Sequence, residues 1–127
     1  MTDRSALERL LADETQVNED LLGEVLSQYV KIGKGSGLPI FTSDFARLTN
    51  TGKIIVYLLS RKAATALGLL TESESVTPKE VSEATGVAYD SVKPTLSGLA
   101  RARVVSRSDG RYSCPNHILS RAAELIR

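Results

Sequence analysis

The sequence predicts a mainly α-helical domain in which a three-helix core carries a short β-hairpin and additional helices stand at the N- and C-terminal ends. Three observations lead to that class. From Thr51 to Leu70 the chain is apolar around most of a helical circumference, which marks a helix buried on nearly every side. Thr77-Pro78-Lys79-Glu80 is a strong helix start and Gly86 a helix stop, with a second apolar-striped segment just beyond. Ser108-Asp109-Gly110-Arg111 has the chemistry of a two-residue hairpin turn.

Taken in order, residues 5–32 read as helix. Leu21, Leu22, Val25, Leu26, Tyr29 and Val30 recur at three and four, after an earlier and shorter stripe of Leu7, Leu10 and Leu11. Asn18 is placed to cap the second stripe. The run Gly33-Lys34-Gly35-Ser36-Gly37 stops any helix. Leu38 to Thr42 reads as a short edge strand, because Pro39 has no N–H to donate in a central one. Ser43 is the expected cap of a short helix carrying Phe45 and Leu48.

The central helix follows, capped by Thr49 or Asn50, and Thr71 to Val76 is a polar loop. In the next helix Thr77 caps, Pro78 takes the first position, and Glu80 completes a capping box. Val81 and Ala84 face inward, Gly86 accepts the positive φ of a sharp turn, and Val87 plugs it. Val92, Leu96 and Leu99 then form a core stripe. Pro94 lies within that helix. With Ser91 as the cap it falls at the third helical position, where proline is tolerated. With Asp90 as the cap, a hydrogen bond is lost and the outward face rotates. Val104-Val105 opens a strand and Arg111 to Cys114 is its return. After Pro115, Asn116 is placed to cap a terminal helix carrying Ile118, Leu119, Ala122, Leu125 and Ile126. The chain thus divides into a helical extension and connector (1–48), the helical core with its hairpin (49–114) and a C-terminal helix (115–127).

With 127 residues, 42% of them hydrophobic, there is material for one compact domain and not for two. The richest apolar run, Ile54 to Leu59, is far short of the ~20 residues a bilayer needs, and the N-terminus lacks the pattern of a secretion signal. A single cysteine, Cys114, allows no internal disulfide and suits a reducing compartment. Together these point to a cytoplasmic protein. Cys114 and His117 are too few ligands for a structural zinc, so no metal or other cofactor is expected. One histidine and no nucleophile-elbow pattern argue against an enzyme, and the glycine run at 33–37 lacks the order of a phosphate loop.

The net charge of +1 hides a polarity. Residues 1–33 hold three basic and seven acidic side chains, and residues 34–127 thirteen basic and eight acidic. Between Lys93 and Arg111 five cations face Asp109 alone. A basic segment attached to an acidic one suits a polyanion partner.

Helix, glycine turn, helix and short hairpin, quoted above from Thr77 to Tyr112, resemble a winged helix-turn-helix domain over roughly residues 49–114. The likeness is greatest to the small prokaryotic regulators of the MarR and ArsR type, without assignment to one family. The cysteine-containing metal-sensing motif of ArsR-type repressors is absent. The resemblance implies a regulator that binds double-stranded DNA. On a helical projection, the side opposite Val92, Leu96 and Leu99 carries Asp90, Pro94, Ser97, Gly98 and Arg101, flanked by Lys93. Small residues there allow close approach to a groove while the cations neutralise phosphates. Arg107 lies opposite Tyr112, and the resemblance places Arg111 at the wing tip, reaching an adjacent minor groove. The DNA-binding set it implies is Thr77, Ser91, Lys93, Ser97, Arg101, Arg103, Arg107 and Arg111.

The apolar stripes within 5–32 and 116–126 further imply a homodimer, which sets two reading helices about 34 Å apart on the duplex. Two other readings stand beside these. The terminal helices fold back on their own core, or the fold serves as a non-enzymatic adaptor whose acidic N-terminal helices dock a basic partner.

Overall fold

The computed structural model describes residues 5–11, 17–70 and 72–126. Among them are six α-helices and two antiparallel hairpins, so the architecture is mixed, mostly helical, and compatible with a winged-helix-like arrangement. The helices are α1 (Ser5–Glu8), α2 (Glu19–Leu26), α3 (Asn50–Ala66), α4 (Pro78–Thr85), α5 (Tyr89–Arg101) and α6 (Leu119–Glu124). The strands are β1 (Val30–Ile32), β2 (Pro39–Phe41), β3 (Ser106–Ser108) and β4 (Arg111–Ser113).

α3 is the axis of the molecule. Thr49 caps it, its hydroxyl accepting from the Gly52 N–H at 3.1 Å. Every residue from Ile54 to Ser60 is buried, as an all-round apolar helix requires, and α2, α4, α5 and both hairpins pack around it. Gly52 is needed where the C-terminal segment crosses: a Cβ there would meet the Ile126 carbonyl oxygen at 2.6 Å.

The N-terminal region departs from the expected helix. Asn18 does cap α2, accepting from the Leu21 N–H at 3.1 Å, but α2 stops at Leu26. Tyr29 and Val30, read as the end of the helical stripe, turn instead into β1, which pairs with β2 in the register Val30↔Phe41, Lys31↔Ile40 and Ile32↔Pro39. Three and four-residue spacing cannot separate a helix end from a β-branched Val-Lys-Ile strand that finds its partners seven to eleven residues on. The pair is held by the Gly33 N–H donating to the Leu38 carbonyl and by Phe41 stacking on Phe45 at 3.9 Å. Ser43 does not cap the helix of Phe45 and Leu48: the turn there is a 3₁₀ segment, Phe45–Arg47, with Asp44 at its head and no side-chain cap. Residues 12–16 of the expected helix, and Thr71 of the polar loop, lie outside the described residues.

The C-terminal stripe is also used differently. Leu119, Ala122 and Ile126 join Leu22, Leu26 and α3 in one hydrophobic cluster, with α6 packed on α2. The apolar faces expected to join two copies are therefore largely consumed within the chain, because a core this small gains more by covering its own helix than by leaving it bare. The stripe that stays exposed is Leu7, Leu10 and Leu11, at 62, 79 and 79%. Asn116 is not an α-helix cap. It opens a 3₁₀ turn, Asn116–Ile118, and its side-chain oxygen accepts from buried Lys62. No described helix is long and apolar enough to cross a membrane.

Candidate nucleic-acid interface

The local chemistry of the α4–α5 unit explains its shape. Thr77 Oγ1 accepts from the Glu80 N–H at 3.2 Å, and Gly86 ends α4 in the left-handed region at φ 79°. The turn is tied by Ser82, whose hydroxyl donates to the Val87 carbonyl at 2.7 Å. Val81, Val87, Val92, Leu96 and Leu99 are buried between the two helices and α3.

α5 begins earlier than either expected cap. Ala88 is the cap residue, its carbonyl accepting from the N–H groups of Ser91 and Val92, and no side chain assists it. Pro94 therefore lies inside the helix, where it has no N–H to offer the Asp90 carbonyl one turn back. Because Pro94 is on the solvent side, water can satisfy that carbonyl and the core stripe is undisturbed. The outward face is the one expected: Asp90, Pro94, Gly98 and Arg101 are exposed with Lys93 beside them, and Ser97 is half-buried. Gly98 faces open space, with nothing within 4 Å of where a Cβ would stand. A mid-helix glycine costs about 1 kcal/mol against alanine, and no internal contact requires this one.

At the end of α5 the chain reverses through Arg103, a non-glycine residue at φ 61°, while the Val104 N–H donates to the Leu99 carbonyl at 2.9 Å. Val104 and Val105 precede the strand rather than open it, and both are buried. β3 and β4 pair in the register Ser106↔Ser113, Arg107↔Tyr112 and Ser108↔Arg111, so Asp109 and Gly110 make the two-residue turn with φ 53° and 75°. β3 is exposed at all three residues. Val76, at the end of the polar loop, bridges to Tyr112 through two backbone hydrogen bonds of 2.9 and 2.7 Å, anchoring the hairpin to the entry of α4.

The eight residues implied for DNA contact fall into two groups. Lys93, Arg101, Arg103 and Arg107 are exposed, and none makes an ion pair among the described residues. Lys93 Nζ lies 5.7 Å from the Tyr89 ring centre and the Arg107 guanidinium 5.8 Å from that of Tyr112. The others are engaged internally or partly covered. Thr77 is the α4 cap. Ser91 is half-buried and its carbonyl accepts from the Thr95 hydroxyl at 2.8 Å, and Ser97 is half-buried. Arg111 folds back from the turn: its Nη2 donates to the Ser75 carbonyl at 2.8 Å and sits 3.4 Å from Glu80 Oε1. The Glu80 carboxylate thus accepts from the Thr77 hydroxyl and pairs with Arg111.

Tyr89, at 45% exposure beside Lys93, is a surface residue that spacing alone leaves unplaced. Two acids, Asp90 and Asp109, share the exposed surface with the cations. Among the described residues no group of three or more His, Cys, Asp or Glu side chains is arranged to hold a metal ion. Comparison with protein-family models, with curated proteins and with solved structures finds no match for this chain.

Proposed function

We propose that the chain binds double-stranded DNA through α5 and the β3–β4 hairpin, as a winged-helix regulator would. The observation that carries this reading is the set of four exposed, unpaired cations, Lys93, Arg101, Arg103 and Arg107, on one continuous stretch of helix, turn and strand. Other exposed cations without an ion pair among the described residues, Lys31, Lys34, Lys79 and Arg121, are spread over the first hairpin, α4 and α6, so it is the clustering of the four and not their lack of partners that sets them apart. Gly98 supports the same reading, since a side chain missing from an exposed helix face allows a close approach from outside the molecule. α5 is the reading helix, Lys93 and Arg101 dock it on phosphates, and Arg107 with Arg103 holds the wing. Arg111 positions the wing from behind and is not a phosphate contact. The reading concerns one copy on the duplex. Two-fold pairing would rest on Leu7, Leu10 and Leu11, and sedimentation at micromolar concentration reads it directly.

Fluorescence anisotropy on a random-sequence duplex tests the proposal. At ~50 mM salt the chain binds, and affinity falls steeply as salt rises. Replacing Arg101 and Arg107 by alanine together lowers affinity and flattens the log–log salt slope by about one for each phosphate no longer neutralised. Absence of binding at that salt would leave the fold as a protein-docking module, with the acidic N-terminal region as its partner surface. Selection from a random duplex library then reads sequence preference.

A further inference from the structure

One carboxylate stands on the cationic surface without a partner inside the molecule. Asp90 is exposed in the first turn of α5, on the outward face with Pro94, Gly98 and Arg101. Capping the helix would give it a structural use, but Ala88 is the cap residue and no side chain assists it. Asp90 makes no side-chain hydrogen bond or ion pair among the described residues. Lys93, the next cation along the helix, holds its ammonium 5.7 Å from the Tyr89 ring centre instead. The other acid of this surface, Asp109, has a use of its own: it turns the hairpin at φ 53°, a conformation that aspartate tolerates. A first-turn acid does suit the helix dipole, but that effect does not call for the outward face.

We propose that Asp90 selects sequence, its carboxylate accepting from the N4 amino group of a cytosine in the major groove. The inference rests on the DNA reading above and names what that surface distinguishes. A helix entering the major groove puts its N-terminal residues on base edges. Asp90 is the second residue of α5 and Arg101 its last, about 16 Å apart along the axis. The carboxylate is thus at the inserted end and the guanidinium at the end that meets phosphate. An ionised carboxylate has acceptors only. Guanine and thymine turn acceptors toward it in the major groove, and adenine sets its N7 acceptor beside its amino donor. Cytosine alone offers a donor on its edge with no acceptor beside it. Pro94 and Gly98, next on that face, bring no charge to compete. Phosphates repel the same carboxylate, so Asp90 weakens binding wherever no cytosine meets it, which is selectivity gained by penalising the wrong sequence.

The test is selection from a random duplex library with the full chain and with its Asp90→Ala and Asp90→Asn variants. Fluorescence anisotropy on the enriched site follows. The unaltered chain should enrich a site with one cytosine whose replacement by any other base weakens binding by about tenfold. Asp90→Ala should lose that preference alone, changing by less than about twofold at that position, and bind random duplex at least as tightly. Asp90→Asn keeps the shape, gains a donor beside its acceptor, and should move the preferred base to adenine. It also serves if the alanine variant fails to fold. An enriched site unchanged in both variants overturns the proposal. So does an equal loss by Asp90→Ala on every sequence, the mark of a residue that only supports the helix end. Binding to random duplex at ~50 mM salt with no cytosine enriched removes this inference and leaves the DNA reading in place; no binding at all removes both.

Discussion

The two hairpins are built from strands of equal length and serve opposite purposes. β1–β2 lies against α3, with Val30 buried and Phe41 stacked on Phe45, and it closes over the core. β3–β4 buries Tyr112 alone among its six residues and holds β3 entirely in solvent. The first is joined by the six residues 33–38, the second by Asp109-Gly110. A hairpin that covers a core needs apolar side chains and tolerates a loose connection. One that projects needs a tight turn and an anchor at its base, here the Val76–Tyr112 bridge and the Arg111 contacts to Ser75 and Glu80.

If one aromatic anchors the projecting hairpin, its removal is the largest effect available. Tyr112→Ala should destabilise the chain by about 3–5 kcal/mol in urea unfolding. Phe41→Ala in the other hairpin, at a half-buried site, should cost about 2 kcal/mol. Equal losses would mean that the two are supported alike.

Cys114, directly after β4, separates the regions by pH. Burial raises its thiol to about 12, with Lys62 pulling down and Glu74 pushing up, so the folded state holds this proton more tightly than the unfolded one. The raised value leaves stability intact below pH 9 and removes it as pH climbs from 9 to 12, by up to about 1.4 kcal/mol per pH unit. Cys114→Ala should remove that part of the slope in alkaline urea titrations. Tyr57, also raised by burial, adds to the remaining slope in the same direction.

Arg103 sharpens the distinction between holding the fold and serving the surface. At φ 61° arginine pays for a conformation that glycine adopts freely. Arg103→Gly is expected to raise stability by about 0.5–1 kcal/mol while weakening binding to a duplex. Greater stability with unchanged DNA affinity would remove Arg103 from the interface.

The smallest effect compares the two arginines of the wing. Arg111→Ala should cost up to about 1 kcal/mol in stability, as a half-exposed pair with one backbone contact does, and affect DNA affinity little. Arg107→Ala should do the reverse. Paired urea melts and anisotropy curves read both.

Several parts of this structure were legible from residues three to five apart. Asn18, Thr49 and Thr77 cap the helices they precede, Gly86 ends α4, and Asp109-Gly110 turns the hairpin. The α5 core stripe and its exposed face were likewise legible, although the helix starts at Tyr89 and contains Pro94. What spacing did not reveal was the strand at Val30–Ile32, whose pattern also suits a helix until β2 lies beside it. Nor did it choose between the two readings of the terminal stripes: Leu22, Leu26, Leu119, Ala122 and Ile126 cover their own core, while Leu7, Leu10 and Leu11 stay exposed.

Residue order alone was enough to place the starts of α2, α3 and α4, the turns at Gly86 and Asp109-Gly110 and the apolar face of α5, because capping, glycine geometry and periodicity act within a single turn of chain; it missed the start of α5, which no side chain caps. Which cations remain free was settled by packing. Arg111 meets Ser75 across 36 positions and Lys62 meets Asn116 across 54. Whether a charge is spent inside the molecule or offered to a partner depends on which distant segments folding brings beside it, and residue spacing carries no record of that.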